Sequence, residues 1–161
     1  MSVFSALQRA ELPAFSGMTS FTPAAGMDQM SQALHRASIV SLGVEACKRK
    51  IRALGELGQG WDGFGSPPAT TSSIANASVR LDNIYQQIVE AQLSWNSPHL
   101  TVSERGEVVF EWWRDSKRLS VYFEDSEAVY LKVWGANIYR DMEDGVLVPE
   151  GFLALWTWLN S

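Results

Sequence analysis

Carboxylates are the residues of this chain best suited by type to do chemistry. Asp62 stands in Trp61-Asp62-Gly63, Glu111 lies in an aromatic run, and Asp141, Glu143 and Asp144 fall within four residues. Such oxygen ligands suit a hard cation such as Mg²⁺ or Ca²⁺. A small Mg²⁺-dependent hydrolase or nuclease would need several of them to converge within about 4–6 Å, with a perturbed pKa among them. Against this, Asp144-Gly145 is explained by turn geometry, because Gly supplies positive φ. The turn is the favoured expectation for Glu143-Asp144-Gly145. His35 and His99 sit in unrelated segments without H-x-x-x-H spacing, and the chain has no G-x-S-x-G elbow, P-loop or strand-to-helix G-x-G-x-x-G. Cys47 is the only cysteine, so neither an internal disulfide nor a Cys-based zinc cluster can form. In a helical context it reads as a small buried hydrophobe. The expectation is a protein with no catalytic residues, no metal and no cofactor.

A second constellation is Gly58-Gln59-Gly60-Trp61-Asp62-Gly63-Phe64-Gly65-Ser66-Pro67-Pro68, with four glycines and two prolines in eleven residues. Glycine admits positive φ and proline fixes φ near −65°, so no helix continues through it. It reads as a shaped loop between helices. Trp61, Asp62 and Phe64 are its structural residues: Trp61 plugs the gap between helices and sheet, and the Asp62 carboxylate accepts backbone N–H groups. The competing reading makes the three an exposed recognition tip.

With Gly106-Glu107-Val108-Val109-Phe110-Glu111-Trp112 downstream, Gly60–Pro68 resembles a group of small bacterial and phage proteins that carry a G-W-D-G-[YF]-G-x-x-P signature before a helix and short sheet. The resemblance covers about residues 55–135. It implies no reaction or ligand, but those relatives look like products of mobile elements.

At 161 residues, 46% hydrophobic and 19% charged, the chain has the size and balance of one globular domain. Its net charge of −5 is uneven: residues 1–103 hold seven acids and seven bases, and residues 104–161 hold eleven acids and six bases. Acidic excess disfavours direct contact with nucleic acid and favours a basic protein partner. With no basic stretch leading into an apolar core at its start and no run of about 18–20 apolar residues, the chain is expected to be soluble and cytoplasmic, with no membrane contact.

These residues must be positioned by an α+β fold, an N-terminal helical pair packed on an antiparallel β-meander of four to six strands, with a C-terminal helix. Residues 1–27 read as an irregular arm containing a short helix over 3–10. Residues 28–95 form the helical hairpin around the glycine-rich loop, the first helix capped by Asp28 with a stripe through Met30, Leu34, Ala37, Val40 or Ser41, Val44, Cys47, Ile51 and Leu54. Its basic cluster Lys48, Arg49, Lys50 and Arg52 reads as a solvated face. The second helix runs from Thr70 to Leu93, capped by Thr70, Thr71 or Ser72, with Ile74, Ala77, Leu81, Ile84 or Tyr85, Ile88 and Gln92 or Leu93 inward. From residue 99 to 148 the apolar period becomes two: Leu100–Ser103, Glu107–Trp113, Arg118–Glu124 and Ala128–Trp134 read as strands separated by short polar turns. Ile138–Met142 and Val146–Val148 add one or two more. Residues 149–160 form the last helix, with Phe152, Leu155, Trp156 and Leu159 inward.

Alternation divides the strands into a purely apolar face toward the helices and a mixed face. The mixed face carries Trp113, Tyr122, Tyr130 and Trp134 among Glu111, Glu124, Arg118 and Lys132. Seven tryptophans exceed what one core needs, and Trp and Tyr dominate interface hot spots. Glu111, Trp113, Tyr122, Glu124, Tyr130 and Trp134 are therefore the expected protein-binding residues, unless the N-terminal arm or last helix covers them. The expected function is a non-enzymatic binding module or a homodimer built on that face. An inhibitor of a host defence complex of the anti-CRISPR kind, motivated by the mobile-element resemblance, is one form. An antitoxin or immunity protein is another, and an oligomeric structural protein is the plainer alternative.

Overall fold

A computed structural model describes residues 23–161, leaving aside the side chains of residues 23–25, 39 and 40. The expected helix over residues 3–10 and the arm as far as residue 22 lie outside the described residues. Contacts divide the chain between Leu34 and His35 into two compact units, where the sequence reading takes 1–161 as one domain.

In the first unit the described residues are the opening turns of helix α1 (Pro23–Leu54). The helix begins five residues earlier than expected, and Asp28 lies within it rather than capping it. A proline is tolerated in a first turn because its missing N–H has no intrahelical partner there. Met27, Met30 and Leu34 are exposed, so the N-terminal part of the expected apolar stripe is not core.

The second unit holds the rest. Along α1, Val44, Cys47 and Ile51 are buried, and burial raises the Cys47 thiol above its usual pKa, as expected for an inert core cysteine. Arg49, Lys50 and Arg52 are exposed, while Lys48 reaches Asp82 at 2.7 Å. Helix α2 (Thr71–Glu90) starts where Thr70 Oγ1 accepts the Ser73 N–H, and it buries Ala77, Leu81, Ile84 and Ile88 at helical spacing. Five antiparallel strands follow in sequence order: β1 (His99–Val102), β2 (Val108–Arg114), β3 (Lys117–Phe123), β4 (Ala128–Val133) and β5 (Met142–Val146). Helix α3 (Phe152–Asn160) closes the unit, burying Phe152, Leu155, Trp156 and Leu159. Its last turn has no basic residue, but Lys117 Nζ from β3 donates to the Trp158 carbonyl at 2.9 Å, placing a cation at the negative end of the helix. This is the expected α+β architecture. No helix among the described residues is long and apolar enough to cross a membrane.

Residues opposite one another in the ladders share a face. On the helix side, the rows are Val102–Val108–Phe123–Ala128, Leu100–Phe110–Val121–Tyr130–Gly145 and Trp112–Leu119–Lys132–Glu143. On the other side they are Thr101–Val109–Tyr122–Val129–Val146, His99–Glu111–Ser120–Leu131–Asp144 and Trp113–Arg118–Val133–Met142.

Two expectations change. Strand β5 runs through Glu143-Asp144-Gly145, and Gly145 is not among the positive-φ glycines; the turn lies instead around Asn137–Asp141, where Asp141 Oδ2 accepts the Asn137 N–H at 3.0 Å. The Tyr130 ring lies over Gly145, where an added Cβ would stand 2.9–3.0 Å from it, so the strand needs a residue without a side chain there. The faces of β4 are also reversed. Tyr130, Lys132 and Trp134 turn to the helix side, and Val129, Leu131 and Val133 turn away from it.

An aromatic chain fills the helix side: Trp95 stands edge-on to Tyr85 and stacks on Trp156, which meets Trp112 and Phe152, and Phe110 joins Trp112 to Phe123. At its margin Trp134 meets Trp158 edge-on, and Lys132 Nζ lies 5.2 Å from the Trp158 ring centroid. Five of the seven tryptophans thus belong to the helix side, which corrects the expectation that they exceed what a core needs.

The end of this sandwich depends on Ser73, a fully buried hydroxyl. Its Oγ accepts the Val108 N–H and donates to the Phe123 carbonyl, both at 2.6 Å, and those two residues face each other across β2 and β3. Asn76 Nδ2 adds bonds to the Glu124 and Glu127 carbonyls at 2.8 Å. Substituting Ser73→Ala strands a buried donor and acceptor and is expected to cost about 2–4 kcal/mol. The exposed Thr71→Ala should cost about 0.5 kcal/mol or less. Urea denaturation with unchanged slopes would measure both, and equal midpoints for the two variants would refute the assignment.

Candidate binding face

The loop after α1 is built before it meets the sheet. Gly60, Gly63 and Gly65 take φ of 72°, 79° and 88°, which lets the chain fold back so that the Gly60 N–H reaches the Ser66 carbonyl at 2.8 Å. The Asp62 carboxylate accepts the Phe64 N–H at 2.9 Å, the Ser66 N–H at 3.3 Å and the Ser66 hydroxyl at 2.5 Å. The Ser66 hydroxyl first, and the Phe64 amide next, hold this carboxyl below the usual aspartate pKa. Asp62 is thus an acceptor of backbone N–H groups, as expected. The loop's far end is tied to the β1–β2 turn by the Thr70 N–H, which donates to Gly106 O at 3.0 Å. Gly106 has φ of 82°, and a Cβ there would stand 2.8 Å from the Pro68 carbonyl, so only glycine fits this approach.

Trp61 is not a plug between helices and sheet. It is 36% exposed, and its indole N–H donates to the Pro67 carbonyl at 3.1 Å, within its own loop. Phe64 at the tip is 94% exposed. Both flank an open concavity of about 510 Å³ whose other side is formed by Thr101, Val109, Glu111 and Tyr122, on the sheet face away from the helices.

Of the six residues expected to bind protein, the structure brings Glu111, Trp113 and Tyr122 onto this face. Trp113 is 56% exposed and packs its ring 5.7 Å from that of His99. Glu111 accepts the Ser120 hydroxyl at 3.2 Å and lies 3.6 Å from His99 Nδ1. Here the acid stands between serine and histidine, and Ser120, which donates to it, is fully buried. Tyr130 and Trp134 are on the opposite face. Tyr130 packs on the core and donates its hydroxyl to Glu143 at 3.0 Å, its pKa raised by burial and then by that carboxylate. Glu124 lines a separate concavity with Arg105, Glu107 and Glu127, 3.9 Å from Arg105 Nη2.

The face gains what alternation assigned elsewhere. Val129, Leu131 and Val133 are half-buried on it, with exposed Met142 and Val146 beyond. Pattern alone gave these three valine and leucine positions to the core, because they are more apolar than Ala128, Tyr130 and Lys132. The structure reverses them because β4 lies near the sheet's margin. Ala128 leaves room for the helices, while Tyr130 and Lys132 cover the core with their stems and reach Glu143 with their polar ends.

The acids weighed for a cation do not assemble. Asp62 is engaged in its loop and Asp141 in its turn. Glu143 pairs with Lys132 at 2.7 Å, which with the Tyr130 hydroxyl lowers its pKa, and Asp144 points to the other face. The described residues contain no group of three or more His, Cys, Asp or Glu side chains able to hold a metal ion. Compared with known proteins, the chain matches no family model, no curated protein and no solved structure.

Trp61→Ala is expected to cost about 1–2 kcal/mol for a partly exposed indole. Trp156→Ala, in the core, should cost about 3–5 kcal/mol. Equal losses by chemical denaturation would place Trp61 in the core after all. Acidification tests the loop independently. With Asp62 held below its unfolded-chain pKa, its contribution is complete above that value and is lost as pH falls through the folded one. The Phe64 and Ser66 amide resonances should therefore move together with a midpoint below the usual aspartate range; a midpoint within that range would refute the Asp62 bonds.

Proposed function

We propose that the protein is a non-enzymatic, cytoplasmic protein-binding module that engages its partner through the sheet face away from α2 and α3 together with the tip of the 58–68 loop. The observation that carries this reading is the set of apolar side chains left open there. Phe64 and Trp113 are mostly exposed, and half-buried Val129, Leu131 and Val133 continue the surface across β4. Contiguous apolar patches of this kind mark interaction sites, and exposed aromatics supply their hot spots. Glu111 on the face and the acidic excess of residues 104–161 favour a basic partner. The likeness of Gly60–Pro68 to mobile-element proteins supports the more specific reading of an inhibitor that blocks a host defence complex. An antitoxin or immunity protein would use the same surface against a basic toxin.

Phe64→Ser alters an almost fully exposed side chain and should keep the wild-type stability within about 0.5 kcal/mol, while Trp113→Ser removes a half-exposed ring packed on His99 and should lose about 1 kcal/mol yet stay folded. Affinity purification of wild type and variants from the native host, followed by binding measurements with the purified co-eluting protein, is the test. Each variant should weaken binding by about tenfold or more, equivalent to 1.4 kcal/mol. Unchanged binding by both would remove the face from the interface. Light scattering on the same samples reads the homodimer alternative, which predicts a mass of two chains that the variants reduce to one.

A further inference from the structure

The concavity between the loop and the sheet has a chemistry of its own. Three aromatic rings contribute to its wall, Trp61, Phe64 and Tyr122, and so do three carboxylates, Asp62, Glu104 and Glu111; none of the described residues lining it is lysine or arginine. Its volume of about 510 Å³ falls within the range of ligand pockets. The three acids do not play equal parts. Asp62 is saturated by its own loop through the bonds to Phe64 and Ser66. Glu111 has one oxygen on the Ser120 hydroxyl, while the other lies 3.6 Å from a largely exposed histidine and keeps acceptor capacity. Its side chain is 17% exposed, so its charge is poorly screened by water.

Aromatic faces carry negative quadrupoles that attract cations, and the attraction grows when water is partly displaced. A guanidinium fits this wall better than an ammonium. It is planar, stacks on rings, is weakly hydrated and can give two parallel N–H bonds to one carboxylate. We infer that this concavity is an arginine-binding pocket, in which Trp61, Phe64 and Tyr122 receive the guanidinium of an exposed partner arginine and Glu111 is its counter-ion. The inference rests on the proposed binding face and names the partner chemistry that face takes.

The probe is acetyl-Gly-Arg-Gly-amide, titrated into the full-length chain and followed by NMR at the Trp61 indole N–H and the Phe64 and Tyr122 rings. Its neutral isostere, with citrulline in place of arginine, is the control. The arginine peptide should bind about tenfold more tightly than the citrulline peptide, a ratio within reach of one cation–π and ion-pair site. Glu111→Gln, which keeps an acceptor for Ser120, should reduce the arginine preference to about twofold or less. Equal binding of the two peptides, or shifts centred away from these rings, would overturn the pocket. The native partner separates this inference from the reading beneath it. If Phe64→Ser and Trp113→Ser abolish partner binding while Glu111→Gln leaves it unchanged, the binding face stands and the arginine pocket falls.

Discussion

One hydroxyl sets the geometry on which the open face depends. Ser73 lies in the first turn of α2 and bridges the Val108 amide to the Phe123 carbonyl, binding the helix to two strands at a single oxygen. A buried polar group is stable only when its partners are fixed, so this contact constrains register and helix position together. Thr70, three residues earlier, caps the helix and also carries the N–H that holds the β1–β2 turn. The 58–68 loop is thereby delivered to the far face of the sheet. Helix start, sheet register and loop placement are one linked constraint rather than three separate features.

Much of the fold was legible because its signals are local. The meander showed as a period of two with polar separators, and α2 and α3 showed as apolar stripes at helical spacing. A hydroxyl cap within Thr70–Ser72, which the structure assigns to Thr70, and Asp62 as an acceptor in its loop follow from side-chain chemistry within a few residues. What was not legible depends on which neighbour arrives. Alternation tells which residues of β4 share a face but not which face meets the helices, and the more apolar set pointed the wrong way. Glu143-Asp144-Gly145 has turn chemistry, yet it continues as a strand because the Tyr130 ring fills the space a glycine leaves. Trp61 looked buried because of its size, but it is partly exposed beside the far face of the sheet and bonds within its own loop. Met30 and Leu34 share the helical period of Val44 and Ile51, and periodicity does not show which part of a stripe is covered.

The candidate site changes character as a result. An aromatic face rimmed by acids becomes a mainly aliphatic plateau over β4 and β5, bounded on the β1 side by three aromatic rings and Glu111. Aliphatic surface supplies non-directional burial, while the rings and carboxylate supply orientation and charge. Affinity and selectivity are thus physically separated on one sheet.

Strand β5 ends the sheet, and its outward amides and carbonyls are the natural place for another strand to add. Met142, Asp144 and Val146 share the open side there, with Glu143 on the other. Two copies zipped antiparallel about Asp144 would set that carboxylate against its own twin, and like charges directly opposite are destabilising. The acid in the middle of this strand therefore disfavours pairing of two copies in that register.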